Sequence, residues 1–266
     1  MAGNMAQILR EHKNNYRLLV KLAFMNAGKQ TVRSSLGISW TYIHDIIYII
    51  VFAGFRYLIA GNGTVMGMNS TVYIMTGMIP WFFFSDVLFQ GSMAIRSNKG
   101  IVQSICFPIP VLPTIEVATI FIKRIISYGM LFAVVYVCGY IKFFHLGLFL
   151  YYIACSIVLA VALNMVISAF VAVSEDFRQL YVSIVRVLIY TMPILWDFTR
   201  IKSAPFNVVL RINPIVYVIK GFRTAFVTGK LQNGWYTVYF WVCTVVLFAL
   251  GSYVQNKLKR YYADFI

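Results

Sequence analysis

Six apolar runs, each long enough to cross a lipid bilayer, fill most of this chain, and no other feature limits its possible folds so severely. A hydrocarbon core about 30 Å thick takes roughly 20 apolar residues of helix per crossing. The runs lie at about Ser39 to Ala60, Thr71 to Ile95, Ala118 to Ile141, Leu146 to Val173, Tyr181 to Phe198 and Trp235 to Gln255. Composition agrees: 61% of the 266 residues are hydrophobic and 12% charged, against roughly 45–50% and about 25% in soluble domains. Little chain is left for a separate soluble catalytic domain. The expected class is an all-α integral membrane protein with six transmembrane helices, its membrane domain covering 39–256.

The first 38 residues are too polar to cross and lack the charged, apolar and small-residue order of a cleaved signal peptide. From Tyr16 a stripe runs through Leu19, Val20, Ala23 and Ala27, with Arg10, Arg17 and Lys21 to one side. That pattern predicts an amphipathic helix in the membrane interface with snorkelling cations; a solvated basic tail is the alternative. An even number of crossings puts both termini on one side. Arg10, Lys13, Arg17, Lys21, Lys29, Arg33, Arg96, Lys99, Lys123, Arg124, Arg178, Arg186, Lys257, Lys259 and Arg260 all fall to that side, most of the 23 Lys and Arg. By the positive-inside rule it is cytoplasmic, with 257–266 as a tail, and the net charge of +15 reflects topology and anionic headgroups, not a nucleic acid partner.

The segment 200–232 breaks the pattern, because Arg200, Lys202, Arg211, Lys220, Arg223 and Lys230 crowd an outer loop. Two semi-apolar stretches there, Phe206 to Ile212 and Pro214 to Phe226, are too short to span and predict re-entrant or interfacial helices. Asn213-Pro214 marks the break between them, since proline suits a first helical turn and the residue before it avoids the helical region.

No nucleotide-binding loop, metalloprotease motif or serine-hydrolase elbow occurs, and His12, His44 and His145 lie on different segments, so no catalytic or metal site is expected in this chain. Cys106, Cys138, Cys155 and Cys243 are too scattered for a disulfide framework or zinc. An ionisable group at bilayer depth costs about 2.5–3.5 kcal/mol on insertion scales, which marks Asp45, Arg56, Asp86 and Arg186, with Asn164 as a further polar residue inside the runs. Asp45, Arg56 and Arg186 also read as interfacial anchors; Asp86 is deeper and faces a wet cavity or a partner helix. The aromatic cluster Trp81, Phe82, Phe83 and Phe84 with Tyr42, Tyr48, Phe52 and Phe55 serves either as an interfacial belt or as a wall on which sugar rings stack.

Three groups of residues are more specific than hydropathy. Ile79-Pro80-Trp81-Phe82-Phe83-Phe84, Gln90-Gly91-Ser92 and Phe107-Pro108-Ile109-Pro110-Val111-Leu112-Pro113-Thr114 form the first. Glu175-Asp176-Phe177, Met192-Pro193-Ile194-Leu195-Trp196, Asn213-Pro214-Ile215 and Gly221-Phe222-Arg223 form the second, and Tyr236 to Trp241 with Gly251-Ser252 and Ala263-Asp264-Phe265 the third. In order and spacing they resemble ABC-2 type permeases that export lipid-linked polysaccharides, most of all the wall teichoic acid translocation permeases of Gram-positive bacteria. The family commonly has Arg-Asp where this chain has Glu175-Asp176, which puts a salt bridge at position 175 in question. An Asn-Pro kink common in first spans is replaced by His44-Asp45, implying a smoother helix.

The resemblance implies a homodimer in the bacterial cytoplasmic membrane, with a separate ABC ATPase subunit binding the ATP and Mg that this chain does not. It implies an anionic, lipid-linked teichoic acid polymer as cargo; O-antigen or capsule export is the near alternative, and a membrane-embedded transferase or secondary transporter the distant ones. Loop 96–117 would couple to the ATPase through Arg96, Ser97, Asn98, Lys99, Phe107 and Pro108, with Glu175, Asp176 and Arg178 completing the contact. Tyr42, Tyr48, Phe52, Phe55, Trp81, Phe84 and Asp86 would line the substrate path. Arg200, Lys202, Arg211, Asn213, Pro214 and Arg223 would form the outer gate, its cations guiding the polyanion or anchoring to headgroups.

Overall fold

The computed structural model describes residues 2–29, 37, 39–61, 63–102, 107–140, 145–194, 210–259 and 262. Arg33, Cys106, Lys142, Leu195 to Lys202, Arg260 and Asp264 lie outside the described residues, and with them the end of the expected fifth span and residues 206–209 of the first outer stretch.

The elements are α1 (Ala2–Asn14), α2 (Tyr16–Lys29), α3 (Ser39–Ala60), a hairpin β1 (Thr64–Val65) and β2 (Met68–Asn69), α4 (Ser70–Phe89), α5 (Lys99–Val102), α6 (Leu112–Val137), α7 (Leu146–Val173), α8 (Glu175–Thr191), α9 (Pro214–Val227) and α10 (Gly234–Leu258). Among the described residues five helical stretches are long and apolar enough to cross a membrane: Ser39–Leu58, Ser70–Met93, Ile109–Val137, Leu146–Val173 and Gly234–Leu258. α3 and α7 coincide with the expected runs, and α3 is unbroken through His44-Asp45.

Two boundaries differ for local reasons. α6 begins at Leu112, inside the expected coupling loop, because the turn Ile109–Val111 leads straight into it and Pro113 sits where a first turn tolerates proline. α8 begins at Glu175, earlier than the apolar run at Tyr181, because the Ser174 side chain accepts from the Phe177 amide and Glu175 and Asp176 occupy the favourable first turn. As described, α8 is amphipathic, with Val185 buried and Leu180, Ile184, Val187 and Tyr190 exposed.

α4 is the central pillar. Nearly all of it is buried, against α3, α6, α7 and α9, and its Pro80 is carried by the surrounding helices. A tight turn sets its start, where Met66 and Gly67 both take positive φ as a type I′ hairpin requires and Asn69 caps the Thr71 amide. α10 lies along α7, and Gly251 allows the approach: a Cβ there would fall 2.8 Å from Met165 Cβ. α9 starts where the Asn213 side chain accepts from the Ile215 amide with Pro214 in the first turn, as the sequence predicts. Its 14 residues reach about 21 Å, short of a crossing.

A second, smaller core lies apart from the main one. Ile95, Ile109, Val111, Leu112, Ile115, Ala169, Ala172 and Tyr262 close together there, with Leu19 and Leu22 of α2 against them. α2 packs on α6 through Ala23 and Ala27, while Tyr16 and Val20 of the expected stripe are exposed. α1 seats Ile8 in the interior, and His12 Nε2 lies 2.7 Å from Thr114 Oγ1. Burial pushes the Tyr262 hydroxyl up from its usual range, and it donates to Gln255 Oε1.

Candidate functional site: an aromatic cleft backed by a buried charge cluster

Helical spacing builds a cleft of about 560 Å³ between α3, α4 and α8. His44, Tyr48 and Phe52 recur every four residues and so share one face of α3. Trp81, Phe82, Ser85, Asp86 and Phe89 supply the α4 wall with Gln90 at its end, and Val185, Arg186, Ile189 and Tyr190 the α8 wall. The Tyr48 ring lies 4.5 Å from His44 and meets Phe82 edge-on at 6.1 Å. Flat apolar walls with a few hydroxyl, amide, carboxylate and guanidinium groups suit a ligand that offers both ring faces and hydrogen-bonding groups.

Of the expected path residues, Tyr48, Phe52, Trp81 and Asp86 are brought together here. Phe84 is fully buried and packs on Phe83, Phe55 lies exposed on the outer side of α3, and Tyr42 instead donates from its hydroxyl to the Lys123 carbonyl at 2.7 Å. Arg186, which reads from sequence as an anchor, enters the cleft wall.

Behind the cleft stands a feature that sequence reading missed. Lys123 and Arg124, which the sequence places with the cytoplasmic cations, are buried in α6. Arg124 is 3% exposed and reaches two carboxylates at once: its Nη1 pairs with Asp45 of α3, and its Nε and Nη2 approach Asp86 Oδ2 of α4 at 2.8 and 2.7 Å. Ser127 donates to Asp45 at 3.2 Å, and the guanidinium lies 5.5 Å from the Phe82 ring centroid. Breaking a buried pair by removing one partner costs about 3–5 kcal/mol when a charge is left uncompensated, and less where the stranded group can neutralise itself. The available signal was two cations inside an apolar run that begins at Ala118, with two acids in other runs to meet them.

At the end of the bundle holding the smaller core, Arg96 pairs with Glu175, and Arg178 donates to the same carboxylate at 2.6 Å. Position 175, where the sequence leaves a salt bridge in question, makes ion pairs as an acid. Ser97, Lys99 and Asp176 are exposed beside it, Asn98 bonds back to the Ala94 carbonyl, and Phe107 and Pro108 are half-buried. At the opposite end of α4, Arg223 is not at the surface as expected. It is 2% exposed, bonded to the carbonyl oxygens of Pro193, Tyr73 and Ile194, with its guanidinium 3.7 Å from the Tyr73 ring centroid. Arg211 is exposed, Asn213 and Pro214 form the α9 cap, and Arg200 and Lys202 lie outside the described residues.

Fold and site together define an all-α, multi-pass membrane protein with a polar-edged aromatic cleft. No family model matches the chain. Individual relatives do, along almost its whole length. An O-antigen export system permease protein, RfbA, of Myxococcus xanthus is 20% identical over 263 residues, covering 98% of this chain and 100% of the relative. A protein of the same description from Klebsiella pneumoniae is 24% identical, covering 94% and 95%. The polysialic acid transport protein KpsM of Escherichia coli is 22% identical, covering 81% and 83%.

Proposed function

We propose that this chain is the transmembrane subunit of an ATP-driven exporter that moves a lipid-linked polysaccharide across the cytoplasmic membrane. The observation that carries the reading is similarity along most of the chain to O-antigen export permease proteins and to a polysialic acid transport protein. Those relatives favour an O-antigen or capsule type of cargo over the teichoic acid expected from sequence.

The rest of the machine follows as part of the same proposal: six crossings with both termini cytoplasmic, two copies around one path, and a separate ATPase subunit beneath them. That subunit would hold ATP and Mg and dock near Arg96, Ser97, Asn98, Lys99, Phe107, Pro108, Glu175, Asp176 and Arg178. The ion pairs Arg96–Glu175–Arg178 support this role, since they join the segment after α4 to the start of α8, a helix of the cleft. A charged polymer cannot cross bare hydrocarbon, where an isolated ion is very costly; the cleft offers the aromatic and polar groups such a path needs.

Depletion of the chain in its host, followed by analysis of surface polymers and lipid-linked intermediates, tests the reading. Loss of a surface polysaccharide with its lipid-linked form retained inside is the expected result, together with a nucleotide-binding protein that co-purifies at one to one. Loss of a polyol-phosphate polymer instead would return the cargo to teichoic acid. An unchanged surface and no such partner would overturn the proposal.

A further inference from the structure

We infer that Arg124 is a positioning residue of the cleft, holding helix α3 in place as the cleft's movable wall through a latch of one helical turn. The inference rests on reading the cleft as the substrate path, and it concerns how that path is kept narrow.

α3 has little hold on the rest of the molecule. Among its described side chains only Asp45 and Ile49 are buried, while Ile46, Ile47, Ile50, Val51, Phe55, Tyr57 and Leu58 are exposed. Its broad contact is with α4. Tyr42 and Asp45, three residues apart on one face, tie α3 to α6, meeting the Lys123 carbonyl, Arg124 and Ser127 on a single turn of that helix. A helix held by a thin apolar seam, by the Arg56 guanidinium 5.8 Å from the Tyr73 ring centroid towards its other end, and by one polar turn at Tyr42 and Asp45 can pivot about the Arg56 end when that turn releases.

Arg124 suits a latch that must open. A buried cation with a single acid cannot part from it without becoming an unpaired charge. This one has two acids, from two helices, so Asp45 can leave with α3 while Asp86 keeps the guanidinium paired. Asp45 is not fully tied down: its Oδ1 is buried without a hydrogen-bond partner among the described residues, and the residue lines a small cavity of about 120 Å³ between α3, α4 and α6. Asp86 also belongs to the cleft wall, so the residue that keeps Arg124 in place is one that a ligand in the cleft would meet.

The test is the maleimide reactivity of Ile49→Cys in the full chain in its native membrane, read peptide by peptide by mass spectrometry. Ile49 faces the seam, and the native Cys155, fully buried on α7, reports the integrity of the bundle. Adding Asp45→Asn should raise labelling at position 49 by about tenfold or more, as local opening loses an ion pair, with Cys155 still protected. Asp86→Asn should leave position 49 as slow as before, because Asp45–Arg124 remains. Equal labelling with and without Asp45→Asn would overturn the inference. So would parallel labelling of positions 49 and 155, which would make the cluster a general stabiliser, or faster labelling with Asp86→Asn alone. None of these readouts requires transport, so a failed latch and a failed exporter assignment are separable.

Discussion

Two arginines are buried at different places along α4, and they are held by different chemistry. Arg124 sits behind the cleft between two carboxylates, whereas Arg223 of α9 is clasped by carbonyl oxygens of Pro193, Tyr73 and Ile194 and lies on the Tyr73 ring. Carboxylates can be neutralised by protonation or moved on their own helices; backbone carbonyls can be neither. The first arrangement is exchangeable and the second is a fixed pin, joining the end of α8 to α4 and α9. Gly77 shows how closely the pin is fitted, since a Cβ there would fall 2.6 Å from Arg223 Nη2.

The largest expected effect is therefore at Arg223. Arg223→Leu strands several buried carbonyls, at about 1–3 kcal/mol each, and should cost about 3–5 kcal/mol in all, read as a loss of thermal stability of the purified chain. Arg223→Lys should recover only part of that, because an ammonium cannot reproduce the planar fork. No second substitution can rescue it, as its partners are main-chain atoms. A rescue by any side-chain change would break the comparison.

Arg124→Gln should cost somewhat less, about 2–4 kcal/mol, because stranded carboxylates can take up protons. Here rescue is possible. Combining Arg124→Gln with Asp45→Asn and Asp86→Asn should restore part of the melting temperature, since no buried carboxylate is then left without its cation. If the triple variant is no more stable than Arg124→Gln, the cluster is not held by charge in the way the geometry indicates.

Gly221→Ala sharpens the contrast from the packing side, in the same helix as Arg223. A Cβ at this position would lie 2.1 Å from Tyr152 Cε1, so α9 must shift away from α7 or the ring must turn. An overpacking cost of about 1–3 kcal/mol is expected in a thermal melt.

What could be read ahead of the structure divides along the same line. The bounds of α3 and α7 and the break at Asn213-Pro214 were legible because hydropathy and proline chemistry act within a few residues. The start of α8 was not, because its polar first turn is stabilised by a cap and helix dipole that a search for apolar runs passes over. The charge cluster was hidden for another reason: Asp45 and Asp86 lie 79 and 38 residues from Arg124, and only the packing of three helices brings them together. Arg223 was harder still, since its carbonyl partners carry no sequence signature. Four of the seven expected path residues meet in the cleft, because helical periodicity aligns Tyr48 with Phe52 but cannot tell that Phe84 faces inward.

The smallest stability effect belongs to Glu175, and its smallness makes it informative. Its ion pairs with Arg96 and Arg178 join side chains that are 27%, 37% and 42% exposed, so solvent and salt screen them and their worth is at most about 1 kcal/mol. Glu175→Gln should leave the melting temperature nearly unchanged. If these pairs link the ATPase-facing segment to α8, as proposed, the same substitution should reduce polymer export and ATP-dependent coupling several-fold while membrane levels of the protein hold. The buried arginines should behave the other way, losing export through loss of protein. A Glu175→Gln chain that exports at the full rate would remove this contact from the coupling path and leave the Arg124 latch as the remaining link between the charged interior and the cleft.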